Sequence, residues 1–387
     1  MSRKRKVIGI TGIRSEYFLQ KSVFKAINDH PNLELKLIVA GAHLSPIHNY
    51  SVDYIRADGF NIFEKVESLL WSNSDGGRLK GAALQMQALA NIFERERPDW
   101  VIAPCDREEA LTAAICASYL NLPIAHLAAG DRVVGNVDDM VRHAVSRLSH
   151  LLLTTHEDAK TRLLRSGEQE FRVFNVGHPG LDRIREAPSV ELAHIADKLG
   201  IKQDMQQFVV VIQHVISSKL GQASFQVAET MKALEKIGLP AIVVYPNSDP
   251  GCQDIINVIN TYRDRCDHIY CFETIEDDIF VNLLRNAFAL IGNSSLGLLE
   301  APFLKLPVIN VGNRQQQRFH AENVVFVPHK AQQITDIIQL WRQNDEERNQ
   351  HVNCENTYGD GRAGSRVAEL LDTINLDANF LNKDLTF

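Results

Sequence analysis

Small polar residues follow an apolar run in the second half of the chain, where a strand would pass into a helix. The run at 288–291 is typical of a buried strand, and the segment at 292–300 combines Gly, Asn and Ser with an apolar helical stretch. Backbone N–H groups at the start of a helix have no partner within the helix, so they attract an anion. The segment is therefore predicted to bind an anionic group.

A second segment brings positive charge to the same edge of the sheet. It follows the strand-like run at 307–310, and it contains Arg314 and Arg318. A diphosphate at the helix start, with Glu300 one turn further in, suits a nucleotide linked to a sugar. Because ligands of doubly wound sheets bind at the carboxyl ends of the strands, other binding residues are expected directly after predicted strands.

Polar and charged residues follow three predicted strands in the first half of the chain. The strands are predicted at 7–11, 100–103 and 123–127. The residues that follow them include Arg14, Asp106, Asp131, Asp138, Asp139, Arg142 and His143. Acids at one sheet edge repel one another, so we expect some of them to have a raised pKa and to serve as general acids. The alternative interpretation is that the acids at 138–139 only face the positive end of a helix, with the Arg and His as structural partners.

Further candidates follow strands in the second half. His214 comes after the predicted strand at 208–213, and it is either a structural residue or a catalytic group opposite the acids. Asn247 and Asp249 lie in a turn-rich loop, which either contacts a ligand or only reverses the chain. Arg14 itself either reaches a phosphate or belongs to a capping turn.

Alternating strands and helices must position these residues. In the first half, strands are predicted at 7–11, 33–40, 100–103 and 123–127, and helices at 16–29, 79–93 and 108–120. In the second half, strands are predicted at 208–213, 240–245, 269–272, 288–292 and 307–310, and helices at 224–236, 254–263 and 277–286. The buried face of the helix at 79–93 is predicted to be Leu79, Ala83, Met86, Ala90 and Phe93.

Repeated β-α-β units predict an α/β fold with two Rossmann-like doubly wound domains facing a cleft. The first domain is expected at 1–183 and carries the acid and base residues. The second is expected at 184–365 and binds the nucleotide, while a terminal helix at about 366–387 packs back on the first domain.

Composition limits the partners and the compartment. The chain has 387 residues and a net charge of −7, and it lacks the clustered basic excess of a nucleic-acid surface. The basic start at 1–6 precedes an apolar run too short for a signal peptide, and no segment is long enough to span a membrane. The six cysteines are scattered without a metal-binding spacing. We therefore expect a cytoplasmic protein with no metal, no nucleic acid and no membrane partner.

The polar segments together resemble the UDP-N-acetylglucosamine 2-epimerases, most closely their hydrolysing branch. The most specific matches are the segments at 138–145, 292–300 and 310–315. Supporting matches are the segments at 105–107, 213–214, 247–251 and 358–363. The resemblance covers almost the whole chain, and it implies the glycosyltransferase-B architecture of two Rossmann-like domains around a cleft.

The resemblance also implies roles for individual residues. Ser294, Ser295 and Arg314 would hold the diphosphate, Arg14 would close from the other domain, and Glu300 would bind the ribose. Asp106, Asp138 and His214 match positions that the family uses at the sugar. Further residues in or beside the matching segments are expected to bind the substrate: Arg107, Arg142, His143, Asn247, Asp249, Asn293 and Gln315.

Two positions depart from the family pattern. The family's His-Ile-x-Gly-Gly-Glu segment is represented at 126–131, where Asp131 replaces Glu. Ala128 stands where many relatives carry a Glu implicated in catalysis. Either Asp131 takes over that work, or the enzyme acts on a different sugar. The departure also leaves room for a bulkier substituent near the sugar.

The implied reaction converts UDP-N-acetylglucosamine and water into UDP and N-acetylmannosamine. A base removes the proton on C2 while UDP leaves C1 from the opposite face, and water then adds to the resulting 2-acetamidoglucal. Acid and base groups are needed on both faces, and the candidates are Asp106, Asp131, Asp138 and His214. The scheme requires no cofactor.

Other functions fit the same motifs. A glycosyltransferase of the same architecture would require an acceptor, and a nucleotide-sugar sensor would bind without turnover. Within the epimerase hypothesis, a UDP-linked 2,4-diacetamido-2,4,6-trideoxyhexose, used for legionaminic-type acids, is the second candidate substrate. The family resemblance further implies a homodimer or homotetramer.

Overall fold

The protein folds as two α/β units in a computed structural model that describes residues 3–46, 50–70, 75–132, 137–216, 221–246 and 251–386. The first unit consists of Met1–Arg185 together with Tyr358–Phe387, and the second unit is Glu186–Thr357. The chain therefore leaves the first unit once and returns to it after the second unit is complete.

Every strand of both sheets pairs in parallel with its neighbours. The strands are β1 (Arg5–Thr11), β2 (Leu33–Ala40), β3 (Ile62–Val66), β4 (Trp100–Ala103), β5 (Ile124–Leu127), β6 (Leu151–Thr154), β7 (Val173–Asn175), β8 (Val209–Ile212), β9 (Ala241–Val244), β10 (Ile269–Phe272), β11 (Ala289–Gly292), β12 (Val308–Val311) and β13 (Val324–Val327). Within the described residues, the first sheet has the order β3-β2-β1-β4-β5-β6-β7 and the second the order β10-β9-β8-β11-β12-β13.

Helices connect the strands, as parallel pairing requires. They are α1 (Arg14–Asp29), α2 (Val52–Ala57), α3 (Asp75–Glu96), α4 (Glu108–Tyr119), α5 (Val137–Leu148), α6 (Glu157–Arg165), α7 (Gly180–Glu186), α8 (Leu192–Leu199), α9 (Ala223–Ile237), α10 (Cys252–Arg263), α11 (Asp277–Asn286), α12 (Leu296–Leu299), α13 (Ala331–Gln343), α14 (Asp345–Val352), α15 (Ala363–Thr373) and α16 (Ala378–Leu381). Among the described residues, no helix combines the length and the apolar character needed to cross a bilayer.

The core of the first unit lies on both faces of its sheet, because alternate residues of a strand point to opposite sides. In β4, Val101 and Ala103 pack into the cluster covered by α3 and α4. Trp100 and Ile102 point the other way and pack against residues of α1 and α15. The indole N–H of Trp100 donates to the carbonyl of Leu371 in α15 at 2.9 Å. The returning segment thus completes one of the two core layers.

Each sheet contains one point where the strand order reverses, and we call this the switch point. It lies between β1 and β4 in the first unit and between β8 and β11 in the second. The helices that follow the two strands run on opposite faces, so a crevice opens between them at the carboxyl ends of the strands. Ligand-binding residues are therefore expected in the loops after these four strands.

The predicted fold class of two Rossmann-like doubly wound domains, which defines the glycosyltransferase-B architecture, is confirmed. The predicted buried face of α3 is wrong at its N-terminal end, where the side chain of Leu79 is 72% exposed. Gln85 and Leu89 are buried instead, and Phe93 is buried as predicted. The chain also returns to the first unit at Tyr358, before the predicted position 366, because Tyr358 is buried and its carbonyl accepts from the His178 N–H at 2.7 Å.

The end of the returning segment caps helix α5. The ammonium of Lys383 donates to the carbonyl oxygens of Ser146 at 2.8 Å, Arg147 at 3.1 Å and Ser149 at 2.8 Å. It also lies 2.7 Å from Glu168 Oε2. A cation at the last carbonyls of a helix satisfies acceptors that have no partner in the helix and opposes its dipole. The orientation of α5 therefore depends on the last part of the first unit.

Candidate active site

The loop after β4 is held in an unusual backbone conformation at the switch point of the first unit. Cys105 has a φ of 46°, in the left-handed region that non-glycine residues rarely adopt. Its carbonyl accepts a hydrogen bond at 2.6 Å from Nε2 of the buried His126 in β5. Burial lowers the pKa of His126 to about 3, so the ring is a neutral donor. The hydrogen bond holds the turn that delivers Asp106 to the sheet edge.

Three charged side chains meet beside this loop, and we call Asp106, Asp131 and Arg142 the Arg142 cluster. Arg142, on α5, is 3% exposed, and its guanidinium contacts Oδ2 of Asp106 and lies 3.7 Å from Oδ2 of Asp131. The same guanidinium donates to the carbonyl of Ala128 at 2.8 Å, where φ is 55°. One buried cation therefore joins the ends of β4 and β5.

Asp131 has further donors from the segment after β6. Thr155 Oγ1 donates to Asp131 Oδ1 at 2.7 Å. His156 Nε2 lies 3.2 Å from the same oxygen. His156 is 3% exposed. The sequence did not predict that it belongs to this group, because a His directly before a helix is not a specific pattern.

The pKa of Asp106 is raised by its surroundings. Burial is the main cause of the raised pKa of Asp106. The positive charge of Arg142 opposes this shift, and the negative charges of Asp138 and Asp131 add to it. Asp138 itself lies at the start of α5 and accepts from Arg78 at 3.4 Å. The structure therefore brings three of the four predicted catalytic residues, Asp106, Asp131 and Asp138, to one sheet edge in the first unit.

Two buried glutamates, which the sequence did not reveal, flank Gly12 at the same switch point. Glu16 and Glu109 are each 3% exposed and lie in the first turns of α1 and α4. The N–H of Gly12 donates to Glu16 Oε2 at 2.9 Å, and a Cβ at Gly12 would stand 2.0 Å from Glu109 Oε1. Burial, followed by the charge of Glu109, raises the pKa of Glu16 well above its usual range. Burial likewise raises the pKa of Glu109.

Replacing Glu16 with Gln is expected to flatten the dependence of stability on pH. With a raised pKa, the folded state binds more protons than the unfolded chain. The raised pKa of Glu16 therefore stabilises the folded protein fully at pH values below the carboxyl pKa of the unfolded chain, about 4.3. This stabilisation is lost as the pH rises through the raised pKa of the folded state. Gln keeps an acceptor for the Gly12 N–H and cannot ionise. The measurement is the free energy of unfolding in urea at about pH 5 and about pH 8, where each unit of pKa shift amounts to about 1.4 kcal/mol.

Glu229→Gln provides a control that should leave the pH dependence between about pH 5 and about pH 8 unchanged. The hydrogen bond from Lys232 lowers the pKa of Glu229, so its contribution is present at neutral pH and is lost as the pH falls through the lowered value. If the free energy of unfolding depends on pH in the Glu16→Gln variant as it does in the wild type, the Glu16 carboxyl group ionises as freely in the folded protein as in the unfolded chain.

In the second unit, Asn293 fixes the loops around the switch point, and we call its contacts the Asn293 clamp. Asn293 follows β11 and is fully buried. Its side-chain oxygen accepts from the His214 N–H at 2.7 Å, and its side-chain N–H donates to the His214 carbonyl at 2.9 Å. Its backbone carbonyl accepts from Arg314 at 3.2 Å and Gln315 at 3.1 Å. The clamp therefore joins the ends of β8, β11 and β12.

The helix predicted after this loop is present as α12, a single turn at Leu296–Leu299. Pro302 has no N–H to continue the helix, and the chain proceeds in tight turns instead. Gly292 has a φ of 137°, and a Cβ there would lie 2.0 Å from the carbonyl oxygen of Ile212. Ser294 and Ser295 are half-buried, and Glu300 ends the turn.

Other predicted site residues lie outside these groups. Arg14 is exposed, and its guanidinium stacks on Tyr54 at 4.8 Å from the ring centroid. Arg107 pairs with Glu109 at 3.3 Å. His143 is on the exposed side of α5, 3.9 Å from Asp139, so it does not join the Arg142 cluster. Asn247 and Asp249 lie outside the described residues. Among the described ranges, no group of His, Cys, Asp or Glu is arranged to hold a metal ion.

Comparison with known proteins identifies the family. Residues 25–372 match the family model described as UDP-N-acetylglucosamine 2-epimerase. A UDP-N,N'-diacetylbacillosamine 2-epimerase (hydrolyzing) of Legionella pneumophila is 34% identical over 379 residues, covering 98% of each chain. A GDP/UDP-N,N'-diacetylbacillosamine 2-epimerase (hydrolyzing) of Campylobacter jejuni is 30% identical, covering 83% of this chain and 84% of the relative.

Solved structures support the same fold. The structure of a UDP-GlcNAc 2-epimerase from Neisseria meningitidis bound to UDP-GlcNAc has a TM-score of 0.81 and 18% identity, covering 95% of this chain and 100% of that chain. Given the matches along the sequence and the shared architecture, the chain is an enzyme that belongs to the UDP-N-acetylglucosamine 2-epimerase family.

Proposed function

We propose that the enzyme is a hydrolysing 2-epimerase that converts a UDP-linked 2-acetamido sugar and water into UDP and the free sugar epimerised at C2. The observation that carries the proposal is the Arg142 cluster at the switch point of the first unit. It holds Asp106, with its raised pKa, beside a buried cation and the carboxylate of Asp131. A raised pKa moves a carboxyl group closer to the range in which general acids and bases work.

The first step of the proposed reaction is an elimination. A base takes the proton from C2, the electron pair of that bond forms the C1–C2 double bond, and the C1–O bond breaks so that UDP leaves with its electron pair. The departing diphosphate requires donors and positive charge. Ser294, Ser295 and Arg314 are proposed to supply them, and Glu300 to bind the ribose hydroxyls.

The second step is the hydration of the 2-acetamidoglucal. The oxygen of water bonds to C1 and loses a proton, and C2 receives a proton on the face opposite to the one that lost it. Asp106 and Asp138 are proposed as the first unit's acid and base groups, and His214 as the second unit's contribution. The Asn293 clamp supports this role for His214, because it ties the His214 backbone to the loop that contains Ser294.

Two sugars are candidates for the substrate. The family description and the Neisseria meningitidis structure name UDP-GlcNAc. The relatives at 34% and 30% identity are named for N,N'-diacetylbacillosamine, a 2,4-diacetamido-2,4,6-trideoxyhexose. The small side chain of Ala128 beside Arg142 supports the bulkier sugar. We therefore propose the diacetamido sugar first and UDP-GlcNAc second.

The proposed function is tested by incubation with each UDP-sugar in heavy water. The expected products are UDP and a free 2-epimerised sugar with deuterium at C2, detected by chromatography and proton NMR. A pocket fitted to the second acetamido group is expected to raise kcat/KM for the diacetamido sugar about 10-fold or more over UDP-GlcNAc. Release of the sugar with its original hydrogen at C2 would exclude elimination, and turnover only with an added acceptor would indicate a glycosyltransferase.

A further inference from the structure

His156 occupies a position that links helix α6 to the Arg142 cluster. It is the N-cap residue of α6, and its Nδ1 accepts the backbone N–H of Ala159 at 3.2 Å. The other ring nitrogen, Nε2, lies 3.2 Å from Asp131 Oδ1. The ring is 3% exposed and meets the ring of Tyr358 edge-on, with centroids 5.1 Å apart. Both nitrogens are therefore directed at defined partners within the first unit.

These contacts select one tautomer of the imidazole. A nitrogen that accepts a hydrogen bond carries no proton, so Nδ1 must be bare while it caps α6. The neutral ring then carries its proton on Nε2 and donates it to Asp131. The capping contact at one nitrogen thus fixes the direction of the hydrogen bond at the other.

The two carboxylates of the Arg142 cluster differ in how many donors they have. Asp131 accepts from Thr155 Oγ1 at 2.7 Å and from His156 on the same oxygen, while its second oxygen faces Arg142. Asp106 contacts Arg142 through Oδ2, and its side chain is 20% exposed. Donors occupy Oδ1 of Asp131 and the Arg142 cation faces its Oδ2, which disfavours Asp131 as a base, whereas the side chain of Asp106 is partly open to substrate.

We propose that His156 is a positioning residue that holds Asp131 as the fixed anchor of Arg142, which assigns proton transfer at the sugar to Asp106 rather than to Asp131. The proposal rests on the proposed epimerase function and adds a residue and a division of roles to it. The proposal also gives a reason for the Asp at position 131, because Oδ1 of Asp131 contacts the imidazole of His156, which is fixed at the start of α6.

Two variants of His156 separate its two hydrogen bonds. In His156→Asn the side-chain oxygen takes the place of Nδ1, so the cap of α6 remains and the contact with Asp131 is lost. In His156→Gln the side-chain N–H takes the place of Nε2, so the contact with Asp131 remains and the cap is lost. We expect kcat to fall about 10- to 100-fold in the Asn variant, with KM little changed, because misplacing a reacting group by about 1 Å has an effect of this size.

The Gln variant is expected to keep most of the wild-type kcat while its Tm falls by about 2–4 °C through loss of the cap. Asn344→Ala is a matched control, because Asn344 Oδ1 caps α14 through the N–H groups of Glu346 at 3.0 Å and Glu347 at 3.3 Å in the second unit. It should lower Tm without changing kcat. Equal loss of kcat in the Asn and Gln variants, or full kcat in the Asn variant, would overturn the proposal.

The tautomer provides a readout that does not depend on turnover. In protein labelled with ¹⁵N-histidine, the His156 signals, assigned by their absence in the Gln variant, are expected to show a protonated Nε2 and a bare Nδ1 near neutral pH. A proton on Nδ1 would contradict the locked orientation.

A wild-type enzyme that releases no UDP from either sugar would remove the proposed function, whereas an active wild type with an equally active Asn variant would remove only the role of His156.

Discussion

Replacing Asp106 with Asn is expected to lower kcat by about 10²- to 10⁴-fold, the usual contribution of a general acid or base. The amide is similar in size and can still contact Arg142, but it cannot take up or release a proton. Affinity for UDP is expected to change little, because the diphosphate is proposed to bind at the second unit. The measurements are steady-state UDP release and calorimetric titration with UDP.

Asp29→Asn is the matched control for this variant. Asp29 is an exposed carboxylate at the end of α1, paired with Lys25 at 2.6 Å. Its loss should leave turnover unchanged. An Asp106→Asn enzyme with wild-type turnover would remove Asp106 from the mechanism, and an enzyme that also fails to bind UDP would point to misfolding instead.

Replacing Arg142 with Met is expected to lower the free energy of unfolding of the first unit by about 3–5 kcal/mol. The substitution removes the cation that faces Asp106 and Asp131 and leaves buried negative charge without compensation. It also removes the donor to the Ala128 carbonyl. The measurement is urea unfolding followed by a probe in the first unit, such as the fluorescence of the fully buried Trp100.

A double-mutant cycle distinguishes charge imbalance from simple loss of packing. Combining Arg142→Met with Asp106→Asn removes both partners, so the combined cost should be smaller than the sum of the single costs. Arg56→Met is the control for losing an exposed ion pair. Arg56 and Asp53 have side chains that are 50% and 69% exposed, and this pair is expected to contribute less than about 1 kcal/mol. If the losses in the free energy of unfolding from Arg142→Met and Asp106→Asn simply add, the two side chains are not energetically coupled and the prediction is wrong.

The sequence predicted the bounds of four elements correctly. The bounds of β2, β4, β10 and α11 agree with the prediction. The reason is clearest for β4, whose continuous apolar run is buried along its whole length, as expected for a central strand of a parallel sheet. The missed strands β3, β7 and β13 lie at sheet edges, where half-exposed positions and short length weaken the pattern. The internal strand β6 was also missed, although its residues are apolar and buried.

The site was predictable where its residues follow neighbouring strands. Asp106 and Asp131 come after β4 and β5, whose carboxyl ends are adjacent, so their meeting follows from strand order. Their common partner Arg142 could be named from the family resemblance, but its contacts required the packing of α5. Glu16 and Glu109 were missed because acids in a first helical turn usually face solvent. His156 was missed because nothing in the sequence around a helix-capping residue indicates that its ring also contacts Asp131.

The chain order of the two units limits when the first unit can be completed during synthesis. Domains generally fold as units from the N-terminus while the ribosome is still working. Here the first sheet emerges early, but α15, which covers its Trp100 face, and Lys383, which caps α5, follow the whole second unit. The second unit can therefore finish first, while this face of the nascent first sheet is covered by α1 but still lacks α15. That interval is when a chaperone would have most to bind.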